Sequence, residues 1–368
     1  MVRAEADVQT DEVSLFDART KRWTGAGEQI VAVVIPSYRV RAHILPLLAR
    51  IGPEVAQIFV VDDACPEESG THVLAGCRDS RVVVLVHEQN HGVGGAVITG
   101  YQHAVAAEAD VIVKLDGDGQ MDPALIPQFV APILQGRADY VKGNRFYNIE
   151  DVQAMPMVRL IGNAILSFMT KLSSGYWNIF DPTNGYTAVS APIVSYLPLH
   201  KIKRRYFFES DLLFRLGTLQ AFVLDLPMTA IYADEESGLK IRRVFLDFLG
   251  GNIGNFCKRV FYSYFLRGFS VASIELLIGM SFLLFGVVFG EQGWAVSIAT
   301  GRPATTGTVM LAALPVILGV QLLLSFLAFD IGTIPSRAVT PLLPPRRTAQ
   351  ALLARVRSET RCGVDVAA

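Results

Sequence analysis

The apolar residues of this chain follow two different patterns. From residue 30 to about residue 226 they come as short, β-branched runs, each stopped by proline, glycine or an acid and followed by a stretch with helical spacing. Runs of this length read as strands, and the stretches between them as helices. Strands are expected over residues 30–35, 58–61, 81–86, 111–115, 139–142 and 221–226. Helices are expected over 42–51, 96–107 and 157–174, and from about Tyr206. Another begins at Asp122-Pro123, where an acidic N-cap precedes a proline in the first turn. Strands alternating with helices predict a mainly parallel, layered α/β sheet. Sheets of this kind collect ligand-binding residues at the carboxyl ends of their strands.

After residue 240 the pattern changes. Residues 241–267 mix aromatic and aliphatic side chains with five cations (Arg242, Arg243, Lys258, Arg259, Arg267) against Asp247 alone. Such a segment reads as amphipathic helix at a membrane surface, or as an ordinary packed helix pair. Residues 268–290 carry one charge, Glu275, and residues 308–329 carry none. Each stretch is long enough to cross a hydrocarbon layer about 30 Å thick. An acid at the depth of Glu275 calls for a hydrogen bond from a neighbouring helix. Arginine and lysine flank the pair on one side, at Lys258, Arg259, Arg267, Arg337, Arg346 and Arg347. The positive-inside rule places that side, and with it both termini, in the cytoplasm. The expected organisation is a polar arm over 1–28 with a short helix near 11–19, a cytoplasmic domain over 29–240, juxtamembrane helices over 241–267, a two-helix transmembrane region over 268–330 and a basic cytoplasmic tail over 331–368.

Composition supports this division. Hydrophobic residues make up 51% of the 368 and charged residues 18%, which is apolar for a soluble enzyme. The net charge of −1 gives no reason to expect nucleic acid as a partner. The four cysteines form no C-x-x-C pair and suggest neither a disulfide framework nor a zinc site. The first 28 residues lack the apolar core of a signal peptide, so the domain that follows is expected to stay in the cytoplasm.

The chemistry gathers at the predicted strand ends. Residues 111–115 run into Asp116-Gly117-Asp118-Gly119-Gln120. The two carboxylates and the amide are hard oxygen ligands, suited to Mg2+ or Mn2+ carrying substrate phosphates. The same residues also make an ordinary polar turn. Asp62-Asp63 closes the second strand and reads equally as a loop cap or as a contact to a ribose or base. Asn90-His91-Gly92-Val93-Gly94-Gly95 allows close backbone approach to an anion, but it has neither dinucleotide nor Walker A spacing. Arg159 and Asn163 stand one helical turn apart and can share an anion. No nucleophile elbow of the hydrolase type is present.

Taken in order, these motifs carry a family resemblance. Val33-Val34-Ile35-Pro36-Ser37-Tyr38, Val60-Val61-Asp62-Asp63, the 90–96 loop, Leu115-Asp116-Gly117-Asp118-Gly119-Gln120 and Gly143-Asn144-Arg145 resemble the nucleotide-sugar half of inverting family 2 glycosyltransferases with the GT-A fold. Asp181-Pro182-Thr183-Asn184-Gly185-Tyr186, Phe207-Phe208-Glu209-Ser210-Asp211 and Ser237-Gly238-Leu239-Lys240, followed by two spans, look like its polyprenyl-phosphate branch. That branch includes dolichol-phosphate mannose synthases and bactoprenyl glucosyltransferases. The resemblance implies a Rossmann-like mixed sheet and transfer of a hexose, with inversion, from a UDP- or GDP-sugar to polyprenyl phosphate at the inner membrane face. It implies Pro36, Tyr38 and Asp63, with Asp116, as donor-binding residues. Asp116, Asp118 and Gln120 would hold Mg2+ or Mn2+, and Arg145, Arg159, Asn163 and Lys240 the lipid phosphate. Asp116, Asp118, Glu209 and Asp211 are the catalytic candidates, the last two as groups that orient the sugar or an arginine. Where the family often has P-x-Y-N-E, this chain has Arg39-Val40 in place of Asn-Glu, which leaves the choice of nucleotide open. Nucleotide sugar, polyprenyl phosphate and the bilayer are the implied partners, and a homo-oligomer is compatible. The alternatives are a family 2 enzyme acting on a glycan or lipid-linked sugar, and a non-catalytic membrane partner of the same fold. A processive synthase would carry Q-x-x-R-W and more spans.

Overall fold

In a computed structural model of the chain, residues 16–17, 22–23, 29–147, 157–228 and 241–344 are described. Two short strands, β1 (Phe16–Asp17) and β2 (Arg22–Trp23), pair antiparallel. The short helix expected near 11–19 is therefore not formed at residues 16–17, where a local antiparallel pair takes its place.

Among the described residues the main sheet has seven strands, in the order β5-β4-β3-β6-β8-β7-β9. They are β3 (Val31–Ser37), β4 (Gln57–Asp62), β5 (Val82–Val86), β6 (Val111–Lys114), β7 (Tyr140–Asn144), β8 (Thr187–Ser190) and β9 (Val223–Pro227). Six of them run parallel. The exception is β8, inserted antiparallel between β6 and β7. It lies outside the strands expected from sequence, and it changes what reaches the functional edge. Because β8 runs backwards, its amino end meets the carboxyl ends of its neighbours, and the 181–186 loop arrives there with it.

The continuous apolar runs are explained by burial on both faces of the sheet, as in other helix-covered parallel sheets. In β3, Val31, Val33 and Ile35 enter one core with Leu47 and Phe129, while Ala32 and Val34 enter the other with Tyr101 and Leu212. The covering helices are α1 (Arg41–Arg50), α2 (Ser69–Gly76), α3 (Val93–Ala106), α4 (Ile126–Leu134), α5 (Met157–Ser174), α6 (Ala191–Tyr196) and α7 (Phe208–Leu219).

Beyond the sheet, α8 (Ile241–Phe261) packs along α5 and ends in a wider turn over Tyr262–Arg267. Two long helices follow, α9 (Val271–Thr300) and α10 (Thr306–Gly332), packed against each other as a hairpin. Both are long and apolar enough to cross a membrane, and only 22% and 11% of their most apolar windows is buried, which a pair of soluble core helices would not show. The first runs ten residues past the expected end at Gly290. A 30-residue helix is about 45 Å long, so its last turns, from Glu291 on, extend beyond a 30 Å layer. Glu275 has the neighbour it needs: Ser325 of α10 donates a hydrogen bond to it at 2.9 Å.

The hairpin is tied to the sheet domain at two places. Asp330, near the end of α10, is buried between Arg259 (2.6 Å) and the indole N–H of Trp177 (2.9 Å). Farther on, the backbone N–H groups of Val339 and Thr340 donate to buried Asp139 at 2.8 and 2.7 Å. Asp139 precedes β7, at the edge of the sheet opposite the functional one. The chain that leaves the hairpin thus returns to the same domain that enters it.

Candidate active site

The carboxyl ends of β3, β4 and β6, with the loop that leads into α3, line a cleft of about 390 Å³. Pro36, Tyr38, Asp63, Asn90, Asp116 and Asp118 are among its lining residues, with Arg205 and Tyr206 on the far wall. Five of the six residues expected to bind donor or metal line the cleft; Gln120 does not. The backbone N–H of Gln120 donates to Asp118 at 3.0 Å and shapes the turn that carries both residues.

The two acids that close β4 have separate tasks. Asp62 accepts from the backbone N–H groups of Cys65 (2.7 Å) and Gly70 (2.6 Å), so it is the loop cap. Asp63 accepts from the N–H groups of His91 (2.8 Å) and Gly92 (2.7 Å) and meets the His87 ring at 2.7 Å. One carboxylate therefore fixes the 90–95 loop as a wall of the cleft. Gly92 sits at φ +83°, with its Cα facing the Arg204 carbonyl so closely that a side chain would not fit.

Asp116 and Asp118 are half-buried at the end of β6. Asp116 is not a free ligand: the ammonium of Lys114, fully buried on β6, stands 2.8 Å from its Oδ1. The same ammonium stands 3.1 Å from Oε1 of Glu209, which enters from the first turn of α7. Burial opposes the charge on Lys114, yet the two carboxylates outweigh it and hold the ammonium above the ordinary lysine range. Gly185, at the end of the 181–186 loop, lies against both partners; a Cβ there would overlap the Asp116 carboxylate and approach Lys114 Nζ to 2.7 Å.

Among the described residues no group of three His, Cys, Asp or Glu could hold a metal ion by itself. Two acidic oxygens donors on one turn, open to a cleft, do fit a divalent cation whose remaining ligands come from substrate phosphates and water. Asp116 and Asp118 meet that description.

Glu209 and Asp211 are two residues apart on a helix and so face in different directions. Glu209 joins the cleft cluster through Lys114. Asp211 is buried elsewhere, accepting from the Lys203 N–H and from the Asn255 amide of α8, each at 2.9 Å. It braces α8 against α7.

Arg145 follows β7 and makes a two-pronged pair with buried Asp181, at 2.7 and 3.0 Å. Its guanidinium is oriented rather than loose, and remains a quarter exposed. Asn163 lies half-buried on α5. The side chain of Arg159 and the whole of Lys240 lie outside the described residues.

Lys114 and Lys142 were given no role from sequence, and Asp181 and Gly185 entered there only as members of the 181–186 motif. Lys142 is fully buried on β7 and shares a register row with Lys114, the two flanking Thr187 of β8. Its ammonium donates to the Asn184 carbonyl, and burial pushes its pKa down to about 8 despite the nearby Glu209 and Asp181. The unfolded chain then holds one more proton than the folded one above about pH 8, so stability should rise with pH through that window and be flat below it. In detergent, Lys142→Met should remove this rise, a change of roughly 2 kcal/mol in the wild type-to-variant difference between about pH 8 and about pH 10. Denaturant unfolding at both pH values reads it; a constant difference would contradict the burial effect.

The family described as Glycosyl transferase family 2 matches residues 32–197, from the first strand of the large sheet through α6. The chain is 34% identical over 154 residues to a UDP-N-acetylglucosamine–dolichyl-phosphate N-acetylglucosaminyltransferase of Methanococcus voltae, covering 42% of this chain and 61% of that protein. It is 30% identical over 206 residues to the undecaprenyl-phosphate mannosyltransferase of Micrococcus luteus, covering 55% of this chain and 83% of the relative. Among solved structures, mannosyl-3-phosphoglycerate synthase from Rubrobacter xylanophilus is similar with a TM-score of 0.48 and 16% identity, over 66% of this chain and 77% of that one. The mixed sheet has the GT-A-type architecture that the motifs implied. With a matched segment that contains the whole Asp116–Asp118 edge, and with most of the Micrococcus relative covered, the chain belongs to glycosyl transferase family 2.

Proposed function

We infer that the protein transfers a hexose from a nucleotide diphosphate sugar to polyprenyl phosphate, with inversion, at the cytoplasmic face of a membrane. One loop carries this reading. Within nine residues, Trp177 bonds Asp330 at the end of the apolar hairpin, Asp181 orients Arg145, and Gly185 lies against Asp116. A site joined to the hairpin by so short a segment is placed to take an acceptor whose tail stays in the bilayer. The names of the two relatives, each of which acts on a polyprenyl or dolichyl phosphate, point the same way. Both ends of the hairpin adjoin the sheet domain, which supports one cytoplasmic side for the domain and for residues 333–344.

The residues divide the work by position. Pro36, Tyr38 and Asp63 form the wall for the nucleoside. Asp116 and Asp118 hold Mg2+ or Mn2+, which when bound offsets negative charge on the departing diphosphate. Lys114 fixes Glu209 so that its other oxygen can accept from a sugar hydroxyl. Arg145, held by Asp181, receives the acceptor phosphate, with Asn163 and Arg159 on α5 and Lys240 as further contacts. A phosphate monoester has a second pKa near about 6 and is largely dianionic at neutral pH, so the attacking oxygen needs no base. That oxygen bonds to C1 of the sugar as the C1–O bond to the diphosphate breaks, the electron pair leaving with the nucleotide. A single displacement inverts C1.

Purified protein, given radiolabelled UDP-glucose, UDP-N-acetylglucosamine or GDP-mannose with short polyprenyl phosphate and Mn2+, should yield a chloroform-soluble, acid-labile product. A water-soluble glycan made without added lipid would reject the acceptor assignment. Turnover undiminished by EDTA would reject the metal.

A further inference from the structure

We propose that Lys114 is a built-in counter-cation for the metal site, one that keeps divalent metal binding weak until a nucleotide diphosphate is present. The inference rests on the proposed role of Asp116 and Asp118 and extends it to a residue outside the ligand set.

The geometry is specific. Lys114 has almost no contact with solvent, and its ammonium stands 2.8 Å from one oxygen of Asp116 and 3.1 Å from one oxygen of Glu209. It cannot swing away, because β6 is paired on both sides and buried along its length. Gly185 packs against the same carboxylate and the same ammonium, so the pair is held from the loop side as well. Asp116 and Asp118 together offer two negative charges. The lysine is shared with Glu209 but lies nearer to Asp116, 2.8 against 3.1 Å, so it offsets part of the Asp116 charge at hydrogen-bond distance and repels any cation that approaches that carboxylate. Metal affinity follows the net charge of the ligand set. Here that charge is too low for tight binding by the protein alone, and a diphosphate restores it. The functional consequence is order: metal and donor enter together, and the metal leaves with the nucleotide product instead of remaining in the site.

The test is Mn2+ binding to the full-length protein in detergent, read by electron paramagnetic resonance of the free ion, with and without UDP or GDP. Wild type should bind Mn2+ weakly alone and much more tightly with one of the nucleotides. Lys114→Met should bind Mn2+ without nucleotide at least about tenfold more tightly than wild type. Lys114→Gln, which can still donate to both carboxylates, is the second neutral variant and should show the same gain. Lys114→Arg keeps the charge and should keep wild-type behaviour. If the neutral variants bind Mn2+ no better than wild type, or worse, while wild type still responds to nucleotide, Lys114 is not a counter-cation and the metal assignment stands. If wild type binds no Mn2+ with either nucleotide, the metal assignment itself falls, and this inference with it.

Discussion

Asp118→Ala should lower sugar transfer at least about a thousandfold and leave the fold nearly unchanged. The asymmetry follows from where the carboxylate sits. Asp118 is half-buried on the wall of the cleft, in the turn after β6. Its Oδ1 accepts from the Gln120 N–H at 3.0 Å, a contact within one turn whose loss costs about 1 kcal/mol. Asp116 differs, since it compensates a buried lysine, and its removal would leave Lys114 with Glu209 alone. Breaking a buried pair can cost about 3–5 kcal/mol. Asp116→Ala would therefore mix loss of chemistry with loss of stability, and Asp118→Ala is the cleaner variant. The measurement is transfer to polyprenyl phosphate at saturating donor, with a melting curve in the same detergent. Activity within tenfold of wild type would remove Asp118 from the site; a collapsed melting transition would make it a structural residue.

The strand ends that carry Asp118 were legible because each strand before it is a continuous apolar run with a sharp chemical stop. Burial on both sheet faces writes such runs into the sequence. In the second half of the sheet, where β7 and β9 were also expected, β8 offers no equivalent signal. β8 is Thr187-Ala188-Val189-Ser190, four residues with polar ends, and its direction is set by β6 and β7 rather than by local pattern. Lys114 and Lys142 look like the solvent-facing positions of ordinary strands. The packing of the sheet, with Asp116 beside it and Glu209 brought in from 95 residues away in sequence, makes Lys114 a buried, paired cation. Glu209 and Asp211 show the same limit on a helix, because two neighbouring acids cannot be assigned to faces until the packing of α7 and α8 is known. The apolar hairpin was legible in place but not in length, since α9 continues as helix after its apolar run ends at Gly290.

Gly185→Ala tests the part of the site that pattern could not show. Gly185 stands just before β8, and the space where a Cβ would go is already taken by the Asp116 carboxylate, with Lys114 Nζ 2.7 Å away. Both neighbours are constrained: Lys114 by a buried strand, Asp116 by its bond to Lys114. The methyl group must therefore displace the carboxylate, the loop, or both. An overpacked buried site of this kind costs about 1–3 kcal/mol, which a domain of this size can absorb. Catalysis is less tolerant. A shift of about 1 Å in a positioned group can cost about a hundredfold in rate, and here the group is a candidate metal ligand. Gly185→Ala should thus fold, melt a few degrees lower and lose at least about a hundredfold in transfer. Gly250→Ala on α8, where a Cβ meets nothing within 4 Å, is the matched control and should keep full activity. The loss should be partly recovered by raising Mn2+ and donor together, because the variant weakens their joint binding before it alters the acceptor side. Wild-type activity in Gly185→Ala would mean that the loop yields and that Asp116 is not held from the β8 side.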